Sequence, residues 1–288
     1  MKRLHARGNY DTLRRLRAVL SNIFRLAMSD GRASSDPADA LIGHVALKPP
    51  QQRQKAAGKG SGSFAAILQP EAFGQLLRDV AGYHGQKQTR LALQLLALTW
   101  LRPVELRKLR WGWIGENAGE PAITLPASLM KMRREHRVPL SRQALAIIEE
   151  LRAMSSATGA GDFVFPCSQP RRRLGRGGKP SKRPMMRPMS EGALNSALKR
   201  LNYTGEQHTP HGFRQSGSTI SNEVGAFEPH VIDAALSHVT SGVEGDYNKA
   251  TYWRQRVPLA QWWADHVDTL REQRPAGLTS NVIGLRRA

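Results

Sequence analysis

The segment QKQTRLALQLLALTWLRPVEL, residues 86–106, carries the strongest structural signal in the sequence. Leucines occupy most faces of the stretch from Gln86 to Trp100, which predicts a helix in the centre of a domain. Pro103 disfavours helical geometry at Arg102 and suits the first position of a new helix. We therefore expect a central helix, a break at Arg102, and a second helix whose free N–H groups favour an anion.

Helical periodicity continues on both sides of this segment. It predicts further helices at about Tyr10–Met28, Asp36–Leu41, Pro70–Gly82, Ser141–Met154, Ser190–Leu201, Pro210–Gly225, Pro229–Leu236 and Trp253–Arg271. Short apolar stretches predict three strands, Trp111–Ile114, Ala122–Leu125 and His136–Pro139, with a turn at Gly115–Pro121. The predicted fold class is mainly α with a small antiparallel β-sheet.

Residues 43–63 are rich in Pro, Gln, Lys and Gly and offer little to bury. This composition is typical of a linker, although a surface loop within one domain would look the same. We favour a domain boundary, because helical periodicity resumes directly after it. The expected divisions are a helical region at 1–42, a linker at 43–63, a larger domain at 64–272 and a tail at 273–288.

The charge balance points to a polyanionic partner. The chain has 43 Lys and Arg against 23 Asp and Glu, a net charge of +20, and such a surplus favours nucleic acid over a merely soluble basic protein. The single cysteine, Cys167, excludes an internal disulfide and a cysteine-cluster zinc site. This cysteine content is compatible with a reducing cytoplasm. We also expect no membrane span, because no apolar run approaches about 18 residues.

Six side chains could together act on a phosphodiester. Under attack, a phosphodiester develops negative charge on its non-bridging oxygens, which guanidinium groups stabilise. Lysine can protonate a leaving oxygen, histidine can carry protons near neutral pH, and tyrosine becomes a nucleophile when cations lower its pKa. The candidates are Arg102, Lys131, His211, Arg214, His238 and Tyr247.

Each candidate has an ordinary alternative. Lys131, like its basic neighbours, could be solvated, and Tyr252 is a rival to Tyr247. We favour Tyr247 because Gly245 and Asp246 predict a turn that presents it. No metal is expected, since the His208–His211 pair has no acidic or cysteine ligands at metal spacing.

His211 and Arg214 lie three positions apart and are expected to share one helical face. An apolar stripe of Phe213, Ile220 and Val224 is expected to dock that helix on the core. The stripe predicts that His211 and Arg214 point away from the core. The alternative is a surface arginine and a capping histidine.

A basic insertion spans Ser168–Pro188 and contains eight basic residues and no acid between Arg171 and Arg187. A solvated loop is the alternative, but its position inside a catalytic-looking domain favours contact with a DNA backbone. The residues are Arg171, Arg172, Arg173, Arg176, Lys179, Lys182, Arg183 and Arg187.

The order Arg, Lys, His-x-x-Arg, His, Tyr resembles the tyrosine recombinases, specifically the phage-type integrases. The resemblance covers about Phe64 to Val267. It is carried by the segments Leu101–Leu106, Met130–Ser141, His211–Arg214, Leu236–His238, Tyr247–Ala250 and Arg256–Asp265.

The resemblance implies a catalytic domain at 64–272, preceded by part of a helical core-binding domain of SAM-like type. Tyr247 would attack the scissile phosphate and hold the DNA 3′-end, while Arg102 and Arg214 would clamp the phosphate. Lys131 would protonate the leaving 5′-oxygen, and the two histidines would transfer protons and contact the phosphate. Glu105 would play a supporting role.

The resemblance also implies partners. It suggests a site-specific recombinase of a bacterial or phage mobile element, acting on double-stranded DNA at attachment or recombination sites as a homo-tetramer, with no cofactor. Ser237 stands where the family commonly has glycine, and the helical region before the linker is shorter than expected. Two alternatives remain: a DNA-binding remnant that no longer recombines, and a relaxing enzyme like the type IB topoisomerases.

Overall fold

The computed structural model describes residues 2–7, 9–41, 64–130, 132–158, 162–167, 187–238 and 250–273. The chain forms two compact units, residues 1–63 and 64–288, and each is described by itself. No helix within the described ranges is both long enough and apolar enough to cross a membrane.

The first unit is helical. Helices α1 (Lys2–Ala6) and α2 (Tyr10–Ser29) are followed by a 3₁₀ turn at Asp39–Leu41. Asp36 fastens this turn to α2, because its carboxylate accepts hydrogen bonds from the Ser21 hydroxyl and, at 2.8 Å, from the Ala38 N–H. The sequence pattern does not predict α1, which is a single short turn without an apolar stripe.

The second unit contains the other helices and the sheet. Its helices are α3 (Pro70–Ala81), α4 (Lys87–Thr99), α5 (Pro103–Arg107), α6 (Arg142–Thr158), α7 (Ala193–Arg200), α8 (Gly212–Val224), α9 (Pro229–Ala235) and α10 (Trp253–Glu272). Its strands are β1 (Ile114–Asn117), β2 (Glu120–Leu125) and β3 (His136–Pro139). The mainly α class with a small antiparallel sheet is confirmed.

Helix α4 is the centre of this unit, as its leucine pattern predicts. It packs against α3, α5, α6, α7, α8 and α10, and leucines on several of its faces are completely buried. The helix ends at Trp100, whose backbone is left-handed with φ 54°. Arg102 then takes an extended conformation, φ −68° and ψ 145°, directly before α5, which is the break that Pro103 predicts.

The sheet is antiparallel in the order β1-β2-β3. The predicted strand at Trp111–Ile114 is wrong over most of its length: Trp111–Trp113 is a 3₁₀ turn, and β1 begins at Ile114. The Trp111 N–H bonds to the Asp162 carbonyl at 3.0 Å, outside the sheet. The first turn is also tighter than predicted, because positive φ values at Ala118 and Gly119 close a two-residue hairpin.

Candidate active site

Arg102 is held by a buried carboxylate one helical turn further on. Glu105, only 2% exposed, accepts the Arg102 backbone N–H and its guanidinium Nη1, each at 2.7 Å. Both carboxylate oxygens therefore bind the same residue, which fixes the backbone and the side chain together. The Arg102 side chain is 19% exposed, so the guanidinium is oriented and still reaches solvent.

Arg214 lies deeper, at 6% exposed. Its Nη1 donates to the Trp100 carbonyl at 2.7 Å, and its Nη2 donates to the Leu236 carbonyl. These carbonyls belong to the C-terminal ends of α4 and α9, where the helix dipole is negative. Burial, then the charge of Arg102, lowers the Arg214 pKa to about 10, while Glu105 opposes the shift, so the group stays charged at neutral pH.

The prediction that Arg214 points away from the core is therefore wrong. The predicted stripe fails at its last member: Phe213 and Ile220 are buried, but Val224 is 51% exposed. The face of α8 that carries Arg214 is buried too. Gly217 lies one turn further along this face, and its lack of a side chain allows the Trp100 indole to pack against the helix. An added Cβ at Gly217 would stand 2.0 Å from the Trp100 Nε1.

His211 stands at the N-cap position of α8, and its ring contacts that of Phe64 in a tilted arrangement, with centroids 4.2 Å apart. Burial, then the charges of Arg214 and Arg102, holds its pKa below the ordinary value, while Glu105 opposes the shift. The same two arginines act on one imidazole, so His211, Arg102 and Arg214 share one electrostatic environment. These causes favour the neutral imidazole, and an arriving anion would favour its protonation.

The segment that leads into α3 positions His211. The Thr209 N–H donates to the Ala65 carbonyl at 3.0 Å, and the Ser216 hydroxyl donates to the Ile67 carbonyl at 2.6 Å. Gly212 leaves no room for a side chain, because an added Cβ would stand 2.5 Å from the Ala65 carbonyl oxygen. Sequence reasoning missed Phe64 as a site residue, because it stands at the end of an apparent linker.

His238 follows the C-terminal end of α9. The Ser237 backbone is left-handed, with φ 51°, and turns the chain so that the His238 N–H donates to the Asp233 carbonyl at 3.0 Å. The His238 Nδ1 lies 3.2 Å from Asp233 Oδ1, and the His238 side chain is 54% exposed. The Leu236 carbonyl accepts a hydrogen bond from Arg214, and His238 follows Leu236 by two residues.

The sequence also missed a buried histidine. His136 lies in β3 and is 8% exposed. Burial, then the charges of Arg256, Arg214 and Arg102, lowers its pKa to about 3, against a hydrogen bond with the Ala235 backbone that favours protonation. The only sequence signal for its burial was the alternation of inward and outward residues along a strand, because His136 and Val138 occupy inward positions of β3.

Arg256 supports the same strand from α10. It is 4% exposed, and its guanidinium donates to the Arg137 carbonyl of β3. Its Nη1 also donates to the Thr251 carbonyl at 3.3 Å, and burial lowers its pKa to about 10. Arg256 therefore holds β3 beside the chain segment that precedes α10.

Several predicted residues lie outside the described residues. They are Lys131, Tyr247 and seven members of the basic insertion, Arg171, Arg172, Arg173, Arg176, Lys179, Lys182 and Arg183. Arg187 is described: it is exposed, and its carbonyl accepts the Cys167 N–H at 2.7 Å. Lys131 falls between Met130, which is buried, and Met132, which is exposed.

In the His208–His211 pair, from which no metal site is expected, His208 has a structural function. His208 is 1% exposed, and its Nδ1 accepts the Ile67 N–H at 3.2 Å. Burial lowers its pKa to about 3. Across the described ranges, no group of three or more His, Cys, Asp or Glu side chains is placed to hold a metal ion.

The described site therefore joins Arg102, Arg214 and His211 in one cationic cluster near the ends of α4 and α9. Two oriented guanidiniums and an imidazole suit the non-bridging oxygens of a phosphate. Their positions come from backbone carbonyls and a buried carboxylate, so little reorganisation is needed when an anion binds.

Comparisons with known proteins show which family the chain is related to. Residues 67–253 match the phage integrase family. The chain is 35% identical over 257 residues to the prophage integrase IntZ of Escherichia coli K12, covering 89% of this chain and 56% of that protein. It is 33% identical over 271 residues to the integrase of Shigella phage Sf6, covering 93% of this chain and 62% of that one. The chain thus spans little more than half the length of these relatives.

The fold also has a counterpart among solved structures. A lambda integrase dimer bound to a COC′ core site superposes with a TM-score of 0.53 at 18% identity, over 88% of this chain and 63% of that one. At this identity the likeness concerns the fold alone.

Proposed function

This chain belongs to the phage integrase family, and we propose that it is a tyrosine-type site-specific recombinase that cuts and rejoins double-stranded DNA. One observation carries the proposal. Arg102 and Arg214 belong to one cationic cluster and are held by groups that leave their charge available, Arg102 by Glu105 and Arg214 by two helix-end carbonyls. A pair of oriented guanidiniums is what a phosphodiester requires when charge develops on its non-bridging oxygens.

The covalent step is assigned to Tyr247. Its phenolic oxygen forms a bond to phosphorus as the bond from phosphorus to the 5′-oxygen breaks, which leaves a 3′-phosphotyrosyl link. Lys131 donates a proton to the departing 5′-oxygen, while His211 and His238 handle the phenolic proton and contact the phosphate. Attack by another 5′-hydroxyl reverses these steps on a new strand, and the phosphate ester energy is retained throughout.

DNA is proposed as the partner on the basis of charge and site chemistry. The net charge of +20 favours association with a polyanion, and the basic insertion from Arg171 to Arg187 would contact the backbone. We assign residues 1–42 to part of a helical core-binding domain, 43–63 to the linker and 64–272 to the catalytic domain. A homo-tetramer on two duplexes is the assembly that strand exchange requires.

A nicked suicide duplex tests the proposed chemistry. The duplex carries the attachment sequence read from the ends of the DNA element that encodes the chain. A nick lies a few nucleotides from the cleavage site, so cleavage frees a short fragment that diffuses away and religation fails. We expect a covalent protein–DNA adduct that survives denaturing electrophoresis. The variant Tyr247→Phe should form none.

The matched control is Tyr252→Phe, which removes a hydroxyl five positions further on. Tyr252 stands at the N-cap position of α10, and its ring contacts that of His230 in a tilted arrangement with centroids 4.6 Å apart; phenylalanine retains that ring. This variant should form the adduct like the wild type. An adduct that persists in Tyr247→Phe and disappears in Tyr252→Phe would transfer the nucleophile to Tyr252.

The alternatives give different results in the same experiment. A binding-only remnant would bind the duplex with steep salt dependence and form no adduct. A topoisomerase-like enzyme would relax supercoiled plasmid DNA that lacks the attachment sequence, whereas a site-specific recombinase requires that sequence.

A further inference from the structure

The end of α9 contains an acidic residue to which the proposed chemistry gives no role. Asp233 contacts His238 twice: its backbone carbonyl accepts the His238 N–H at 3.0 Å, and its Oδ1 lies 3.2 Å from the His238 Nδ1. The left-handed turn at Ser237 brings the two residues together. One residue therefore restrains both the backbone and the ring of His238.

We infer that Asp233 is a positioning residue whose carboxylate accepts the Nδ1–H of His238 and thereby presents Nε2 to the DNA phosphate. This inference rests on the proposed function, because it concerns the same site. It adds a residue that the sequence motifs do not indicate.

The chemistry follows from the two nitrogens of the ring. A carboxylate at Nδ1 places a proton on that nitrogen, so Nε2 is the atom that reacts. In the neutral ring, Nε2 has a lone pair that can take the proton of an attacking hydroxyl. In the imidazolium, Nε2 has a proton that it can donate to a phosphate oxygen. Both forms require the same ring orientation, which the contact with Asp233 provides.

The location of the pair connects it to the cationic cluster that would bind the phosphate. Leu236 lies between Asp233 and His238 in the chain, and its carbonyl binds Arg214. The turn that positions His238 is therefore fixed to the residue that would bind the phosphate. Asp233 and His238 remain 62% and 54% exposed, so water competes for the contact until bound DNA displaces it.

Single-turnover cleavage of the nicked duplex at saturating protein tests the inference. We expect Asp233→Ala to form the covalent adduct about 10-fold more slowly, below the 10²–10⁴-fold contribution of a complete acid–base group. Asp233→Asn should stay within about 3-fold of the wild type, because its amide oxygen accepts the same hydrogen bond. Asp162→Ala is the matched control, because Asp162 is an ion-paired acid of similar exposure, 55%, and lies outside the proposed site. This variant should cleave at the wild-type rate.

A double-mutant cycle separates positioning from a general effect. If Asp233 acts through His238, Asp233→Ala should cause no further loss in a His238→Ala protein. A further loss there, or a wild-type rate for Asp233→Ala alone, would overturn the inference.

A spectroscopic measurement is independent of cleavage. In the ¹⁵N-labelled full chain at neutral pH, the nitrogen shifts of His238 should show the proton on Nδ1, and Asp233→Ala should give a mixture of tautomers. If the wild type forms no adduct, the proposed function fails while this measurement still decides the inference. Unchanged His238 nitrogen shifts in Asp233→Ala would refute it.

Discussion

The C-terminal ends of α4 and α9 both bind Arg214, and the two ends are arranged in the same way. The Trp100 carbonyl at the end of α4 and the Leu236 carbonyl at the end of α9 both accept hydrogen bonds from its guanidinium. Two residues after each carbonyl comes a proposed phosphate contact, Arg102 in one case and His238 in the other. Each of these is restrained by a carboxylate nearby in sequence.

The two ends differ in exposure. Glu105, which holds Arg102, is 2% exposed, whereas Asp233, which lies beside His238, is 62% exposed. A buried carboxylate keeps its charge only with matched donors, so the end of α4 is held in place before any proposed DNA partner binds. A hydrated pair is weak and adjustable. The comparison indicates that Arg102, proposed to stabilise charge, is preorganised, whereas His238, proposed to transfer protons, is held only by an exposed contact.

The largest effect is expected at the residue that joins the two ends. Lysine at position 214 has one ammonium group and lacks the planar fork that donates to both carbonyls. Burial and the charge of Arg102, which lower the Arg214 pKa, would also favour a neutral lysine. We expect Arg214→Lys to reduce single-turnover cleavage by about 10²–10³-fold.

The control for this change is Arg110→Lys. Arg110 is ion-paired with Asp162 and 43% exposed, so a lysine there retains the interaction in water. Its cleavage rate should equal that of the wild type. Cleavage by Arg214→Lys at the wild-type rate would mean that the two helix ends do not depend on a shared guanidinium.

The second prediction tests the difference in exposure directly. Glu105→Gln removes the charge from a buried pair and should lower the free energy of unfolding by about 2 kcal/mol. Asp233→Asn makes the same chemical change in an exposed pair and should change that free energy by less than about 0.5 kcal/mol. Urea unfolding of both variants measures the two values, and equal losses would show that exposure does not distinguish the ends.

The third prediction concerns the buried imidazole that bonds to the backbone of α9. The His136 pKa is about 3 in the folded chain against about 6.5 in an unfolded chain. Between these pH values the unfolded state binds a proton that the folded state does not. The stabilising contribution of His136 is therefore fully present above about pH 6.5 and is lost as the pH falls. His136 should account for a loss of about 2 kcal/mol between pH 7 and pH 5.

Unfolding experiments at several pH values measure this loss. His136→Gln should make the pH dependence shallower by about one proton, and His208→Gln should do the same, because burial also lowers the His208 pKa to about 3. The two variants should therefore match each other. A wild-type slope in His136→Gln would show that its ring is solvated in the folded chain.

Local rules in the sequence predicted one helix end better than the other. The break at Arg102 follows from Pro103, its immediate neighbour, and the burial of α4 follows from its own leucines. The environment of Arg214 depends instead on carbonyls 114 and 22 positions away. Helical periodicity contains no information about such contacts, so it predicted an outward-facing arginine.

The same limit explains the other residues that were missed. Phe64 reaches His211, whose ring it contacts, from a distant part of the chain. His136 was only an inward position of a short strand until tertiary packing placed it near three arginines. The order of residue types in the sequence therefore proposed Arg102, His211 and Arg214 as a group, while their burial and supports required the fold.

The smallest predicted effect concerns the turn at the end of α9. Ser237 has φ 51°, a left-handed conformation that is unfavourable for residues with a Cβ. Ser237→Gly should therefore stabilise the protein by about 0.5 kcal/mol, after the greater entropy of glycine in the unfolded chain is deducted. Cleavage should stay within about 2-fold, because His238 keeps its backbone bond to Asp233.

The reverse change is available at the end of α8. Gly225 has φ 69°, and an added Cβ there would meet no atom within 4 Å, so Gly225→Ala should cost about 1 kcal/mol through backbone conformation alone. If Ser237→Gly also destabilises the protein, the serine hydroxyl contributes to the turn. If Ser237→Gly stabilises the protein and Gly225→Ala destabilises it, the left-handed backbone alone accounts for both effects. The backbone geometry at Ser237 then determines where α9 ends and how far His238 lies from the Leu236 carbonyl that binds Arg214.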